Sequence, residues 1–109
     1  MSQKNSTIQK LNDSFRQTGI GGKILITRGI QNLERPMITQ ILNTIVTYNN
    51  FTPANDPYGE HDFGSFEIRG YKVFWKIDYY NKEFEYGSED PSNRLITGRV
   101  LTVMLAEEY

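Results

Sequence analysis

The chain has 109 residues and a formal net charge of −1, with 12 basic against 13 acidic side chains. That length suits one domain covering residues 1–109, and the charge balance lacks the basic excess of a dedicated nucleic-acid binder. There is no cysteine, which excludes disulfides, thiolate chemistry and Cys-based zinc sites. Apolar runs are too short to span a bilayer and the N-terminal residues lack the apolar core of a secretory signal, so a cytoplasmic protein away from membranes is expected.

The first element is a helix over residues 7–17. Ser6-Thr7-Ile8-Gln9 fits a capping box, Ile8, Leu11 and Phe15 share one face, and Gly19, Gly21 and Gly22 stop the helix. The glycines do not make a phosphate loop, because they precede a strand and lack the Walker spacing. Residues 23–27, KILIT, read as a short strand buried on both faces. A second helix starts at Pro36, which suits a first turn, and carries Ile38, Ile41, Leu42 and Ile45 on one stripe until Asn49-Asn50.

Residues 50–60 form a loop of prolines, Asn, Asp and Gly, long enough that function is a fair expectation. A hairpin follows, from 62–68 and 71–79 around Arg69-Gly70. If that pair is a two-residue turn, Ile68 faces Tyr71, Phe66 faces Val73, Gly64 faces Trp75 and Asp62 faces Ile77. The opposite face then pairs Glu67 with Lys72, Ser65 with Phe74, Phe63 with Lys76 and His61 with Asp78. The first set is nearly all apolar and marks Trp75, Phe66 and Val73 as core. Residues 82–94 are polar, and 99–105, RVLTVML, read as a buried last strand. The alternative there, a helix through Glu108, is disfavoured by the β-branched residues.

The expected fold is α+β: helix, strand, helix, then a three-stranded, mostly antiparallel meander with the helices on one face. Where the first strand joins is left open.

The chemistry-bearing residues concentrate between Phe51 and Tyr80. A divalent ion or a shared proton could be held by Glu60, His61, Asp62 and Asp78, with Asp56 nearby. Adjacent strand residues point to opposite faces, and one histidine is thin for a transition metal, so a structural network fits the same residues. No cofactor motif and no GxSxG nucleophile elbow is present, and no cofactor is expected. The ring-rich hairpin could be a stacking platform or a protein hot spot. Phe63 and Phe74, beside Lys72 and Lys76 on the face opposite Trp75, are the candidates for a sticky patch.

Several blocks resemble a small bacterial family of domain-of-unknown-function proteins associated with mobile elements. They are LNDSFRQTG (11–19), GGKILITRGI (21–30), FTPANDPYGEHDFGSFEI (51–68), VFWKIDYY (73–80) and SEDPSNRLITGRVLTVMLAEEY (88–109). The resemblance carries over no activity and no site residue. It implies company with inhibitors and accessory proteins of mobile DNA, such as anti-defence proteins.

Three functional expectations follow. The first is a protein-interaction module, more binder than enzyme, contacting its partner through Asp56, Tyr58, Glu60, His61, Phe63, Phe74 and Lys76. The second is a metal-assisted hydrolase or nuclease on Glu60, His61, Asp62 and Asp78. The third is a toxin-like RNA binder that needs Arg28, Arg35, Arg94 and Arg99 to converge.

Overall fold

The computed structural model describes residues 3–109. The elements are α1 (Gln3–Thr18), β1 (Gly22–Ile26), α2 (Arg28–Gln31), α3 (Arg35–Val46), β2 (Phe63–Ile68), β3 (Tyr71–Tyr80) and β4 (Gly98–Leu105), with a 3-10 turn at Ala106–Glu108. The sheet order is β1-β4-β3-β2. β2, β3 and β4 form the antiparallel meander, and β1 joins parallel to β4.

α1 starts earlier than its sequence signals suggest. Ser6 lies inside the helix, not at its N-cap, so the capping-box expectation is corrected. The C-terminal stop is as expected: Gly19 takes the left-handed φ of 74° and its N–H donates to the Phe15 carbonyl at 2.7 Å. Ile8 and Phe15 are buried on the predicted stripe, but so are Asn12 and Arg16.

β1 also departs from expectation. It is an edge strand, with residues Gly22 to Leu25 exposed, not a strand buried on both faces. An apolar run is ambiguous in this way, because the strand that occupies the sheet interior is decided by partners far away in sequence. The interior place goes to β4, which lies between β1 and β3 and is buried along nearly all its length.

The short helix α2 has no sequence signature of its own. Thr27 makes no side-chain cap. Glu108 supplies one from the other end of the chain, accepting from the Thr27 hydroxyl at 2.6 Å, the Gly29 N–H at 3.0 Å and the Leu105 N–H at 2.8 Å. Those donors hold the Glu108 carboxyl below its ordinary range. α3 begins one residue before Pro36.

The hairpin register is the predicted one, from Ile68↔Tyr71 to Phe63↔Lys76. The Ile77 N–H continues it to the Asp62 carbonyl at 2.8 Å. Arg69 and Gly70 both take positive φ, 48° and 86°, as a type I′ turn demands. Trp75 lies across from Gly64, where an added Cβ would collide with the indole. One face of the sheet presents Val73, Trp75, Ile77, Leu101, Val103 and Leu105 to Phe15, Ile30, Ile41 and Ile45 from the helices. Burial of these side chains supplies the main driving force, roughly 1.5–3 kcal/mol each before chain entropy. The helices therefore cover one face, as expected. Phe84 folds back over the other face, against Gly98 and beneath the Lys23 ammonium.

Candidate functional site

Residues 58–61, the end of the loop before β2, lie along α1, and a polar stripe of that helix holds them residue by residue. Asn5 Nδ2 donates to the Tyr58 carbonyl at 3.0 Å, Gln9 Nε2 to the Gly59 carbonyl at 2.8 Å, and Asn12 Nδ2 to the Glu60 carbonyl at 3.0 Å. Asp13 Oδ1 then meets His61 Nδ1 at 2.9 Å. Positions 5, 9, 12 and 13 share one helical face by the 3.6-residue period. A loop with unpaired carbonyls obtains its hydrogen bonds from side chains rather than from a strand.

His61 is the best-fixed residue of the loop. It takes a left-handed φ of 56°, rare for a residue with a Cβ. Its ring stacks on Phe51 with centroids 3.7 Å apart and planes 6° apart. Its backbone N–H donates to the Asp56 carboxylate, whose Oδ2 also lies 3.7 Å from Nε2. Asp13 is shared: the same oxygen accepts from the buried Arg16 at 2.9 Å. Arg16 donates further to the carbonyls of Ile45 and Tyr48 at 3.1 Å, and its guanidinium lies 5.4 Å from both the Phe51 and Trp75 rings. The cation is thus paired, bonded and covered by rings, which is how a buried charge becomes tolerable.

A second buried network centres on Asn12. Besides the Glu60 carbonyl, Nδ2 donates to the Tyr79 hydroxyl at 2.8 Å, and Oδ1 accepts from Arg99 Nε at 2.6 Å. The Tyr79 hydroxyl donates to Glu60 Oε1 at 3.0 Å. Burial, then nearby carboxylates, push the Tyr79 phenol well above its usual range. Asp62 is pushed up to about 6, by burial first and then by the negative charge of Glu60, Asp56 and Asp78. Burial lowers the affinity of the Arg99 guanidinium for its proton.

The Phe51–His61 stack forms a wall shared by two open clefts. One, of about 370 Å³, is lined by Asn5, Thr52, Asp56 and Tyr58; the other, of about 470 Å³, by Asp13, Arg16, Thr47 and Tyr48.

The expected contact set is split by the sheet. Asp56, Tyr58, Glu60 and His61 belong to the loop against α1. Phe63, Phe74 and Lys76 lie on the sheet face opposite Trp75. Asp56 is buried, and Tyr58 is exposed. The expected His61–Asp78 pair across the hairpin is corrected. The strand starts only at Phe63, His61 turns to Asp13, and Asp78 pairs with Lys76 at 3.0 Å. Among the described residues no three His, Asp or Glu side chains are placed to hold a metal ion, so Glu60, His61, Asp62 and Asp78 do not form that constellation. Nor can Arg28, Arg35, Arg94 and Arg99 form one cationic surface. Arg99 is buried and spends its guanidinium on Asn12 and on the Pro91 carbonyl, at 2.6 Å each.

Sequence reasoning missed Asn12, Asp13, Arg16 and Tyr109. Asn12 lies on the apolar stripe of Ile8 and Phe15, with Arg16 one turn after it, and a polar residue inside such a stripe was the available signal. Nothing comparable flags Tyr109.

A family model described as Protein of unknown function (DUF3768) matches residues 26–108. The chain belongs to the DUF3768 family. No curated protein and no solved structure matches it. The DUF3768 match includes the sheet from the last residue of β1 onward, the 51–62 loop and its histidine. α1, which supplies Asn12, Asp13 and Arg16, lies outside the DUF3768 match.

Proposed function

We propose that this chain is a protein-binding module that holds its partner on the outer face of the sheet, through the rings of Phe63 and Phe74 and the Lys72 ammonium beside them. One observation carries this reading. Phe63, Phe74 and Tyr109 form a three-ring cluster, with centroid separations of 5.4 Å, 6.2 Å and 5.5 Å, on the face that the helices leave uncovered. Tyr109 is 76% exposed, and Phe63 and Phe74 are half-buried. The Lys72 ammonium lies 5.8 Å from the Phe74 ring. Clustered rings with a cationic rim are the composition of a binding hot spot, because rings give large contact area at small entropy cost. An apolar partner side chain would lie on the rings and a carboxylate would reach Lys72. Asp56, Glu60 and Lys76 are spent on internal partners, so the reading narrows to the rings of the sheet face and Lys72.

The test is a photoreactive phenylalanine analogue placed at Phe63 and, as a control, at the exposed Tyr86, in the natural host. A defined adduct from position 63, weakened by Lys72→Glu and not formed from position 86, is expected. Equal labelling from both positions, or none from position 63, would overturn the proposal.

A further inference from the structure

The β1 edge of the sheet points to a different contact, independent of the ring cluster. We infer that two copies of the chain join through β1, antiparallel about a two-fold axis at Ile24, making one continuous sheet. The backbone carries the argument. In the parallel ladder, residue register runs Gly22↔Arg99 to Ile26↔Val103, and the Thr27 N–H donates to the Val103 carbonyl at 3.0 Å. Odd residues of this strand therefore turn their polar groups to β4, and Gly22, Ile24 and Ile26 turn theirs outward. Among the described residues, only the Ile26 carbonyl has a partner on that side, Gln31 Nε2 at 2.8 Å.

An outward row of alternating donors and acceptors fits a β-strand, and this row fits its own copy. Gly22 and Ile26 stand equally far from Ile24. Two-fold pairing at Ile24 lets the Ile24 N–H and carbonyl bond their counterparts in the second copy, and gives the Ile26 N–H the second copy's Gly22 carbonyl. The carbonyl of Ile26 keeps a lone pair for the Gly22 N–H opposite it. Side chains agree with the same register. Ile24 lies over Ile24 of the other copy. The lone charge of the strand, Lys23, falls opposite Leu25 rather than opposite itself, and its ammonium is already drawn 4.0 Å from the Phe84 ring. Ile24 and Leu25 are 48% and 53% exposed, and Ile20, just before the strand, is 78% exposed. An apolar, proline-free edge of this kind lacks the lysines, prolines and bulges by which edges are kept from pairing, one Lys excepted. Homodimers with an isologous two-fold interface are the commonest assembly.

The test uses the purified chain in sedimentation velocity over a wide concentration range, with Ile24→Lys and Ile24→Cys variants. The native chain is expected to dimerise. Ile24→Lys sets two like charges opposite each other and is expected to weaken association about tenfold or more, with unchanged far-UV circular dichroism. Ile24→Cys is expected to crosslink with a short bifunctional thiol reagent, since paired Cα atoms there stand about 5.5 Å apart, and a cysteine at the exposed Tyr58 is expected not to. A monomer at every concentration would overturn the inference and leave the edge to a strand of another protein. So would a dimer that Ile24→Lys does not weaken, or that crosslinks no better at position 24 than at position 58.

Discussion

Asp13 and His61, far apart in sequence, meet with Oδ1 and Nδ1 2.9 Å apart and fasten the 51–62 loop to the first helix. The same Asp13 oxygen accepts from Arg16, so one carboxylate serves a half-buried imidazole and a buried guanidinium together.

Asp13→Ala removes both contacts at once. The loss of stability is expected to be about 1–3 kcal/mol, read from the urea midpoint, because Arg16 keeps its carbonyl partners but loses its charge partner. Amide exchange at residues 58–61 should quicken more than exchange in the hairpin. Equal protection in both segments would show that the loop is held some other way.

Asn12→Ala is expected to cost more, about 2–4 kcal/mol, since it leaves Arg99 Nε unpaired in the interior. Tyr79→Phe breaks one donor and one acceptor and should cost about 1 kcal/mol. The double variant is expected to lose less than the sum, because both residues serve the same network. Strict additivity in chemical denaturation would refute the shared network.

Asp62 gives the pH dependence a sign. Its carboxyl is raised to about 6 in the folded chain from an ordinary 3.8, so the folded state holds this proton more tightly than the unfolded one. Its contribution to stability is present below about pH 4 and declines as pH rises to about 6, then stays flat. The side chain is only partly buried, and after solvent screening the change is about 1 kcal/mol. Asp62→Asn should stabilise the protein by that amount at pH 7 and change little at pH 4.

Neighbouring residues of β3 should respond very differently to truncation. Trp75→Ala empties the centre of the core and is expected to cost about 3–5 kcal/mol. Phe74→Ala, on the outer face, should cost about 1 kcal/mol through partial burial. Thermal or urea unfolding of the two variants checks this, and a reversed order would mean the strand is turned over.

The hairpin was legible because everything that defines it is local. Strand side chains alternate with period two, so one turn at Arg69-Gly70 fixes every facing pair from Ile68↔Tyr71 outward. The stripe of Ile8 and Phe15 marked the buried side of α1 for the same kind of reason. His61 escaped that logic. With a left-handed backbone just before β2, it leaves the alternation and turns toward a helix that periodicity cannot place.

The amino-acid pattern alone thus determined the class of fold, the meander, the core side of its strands and the ring-bearing side opposite. Tertiary structure decided that β4 takes the interior of the sheet and β1 its edge, that Asn12, Arg16 and Arg99 are buried polar groups, and that Tyr109 completes the cluster with Phe63 and Phe74. The physical reason is range. Alternation and helical period act between residues a few positions apart, whereas these pairings join segments whose closeness depends on how the whole chain closes on its core.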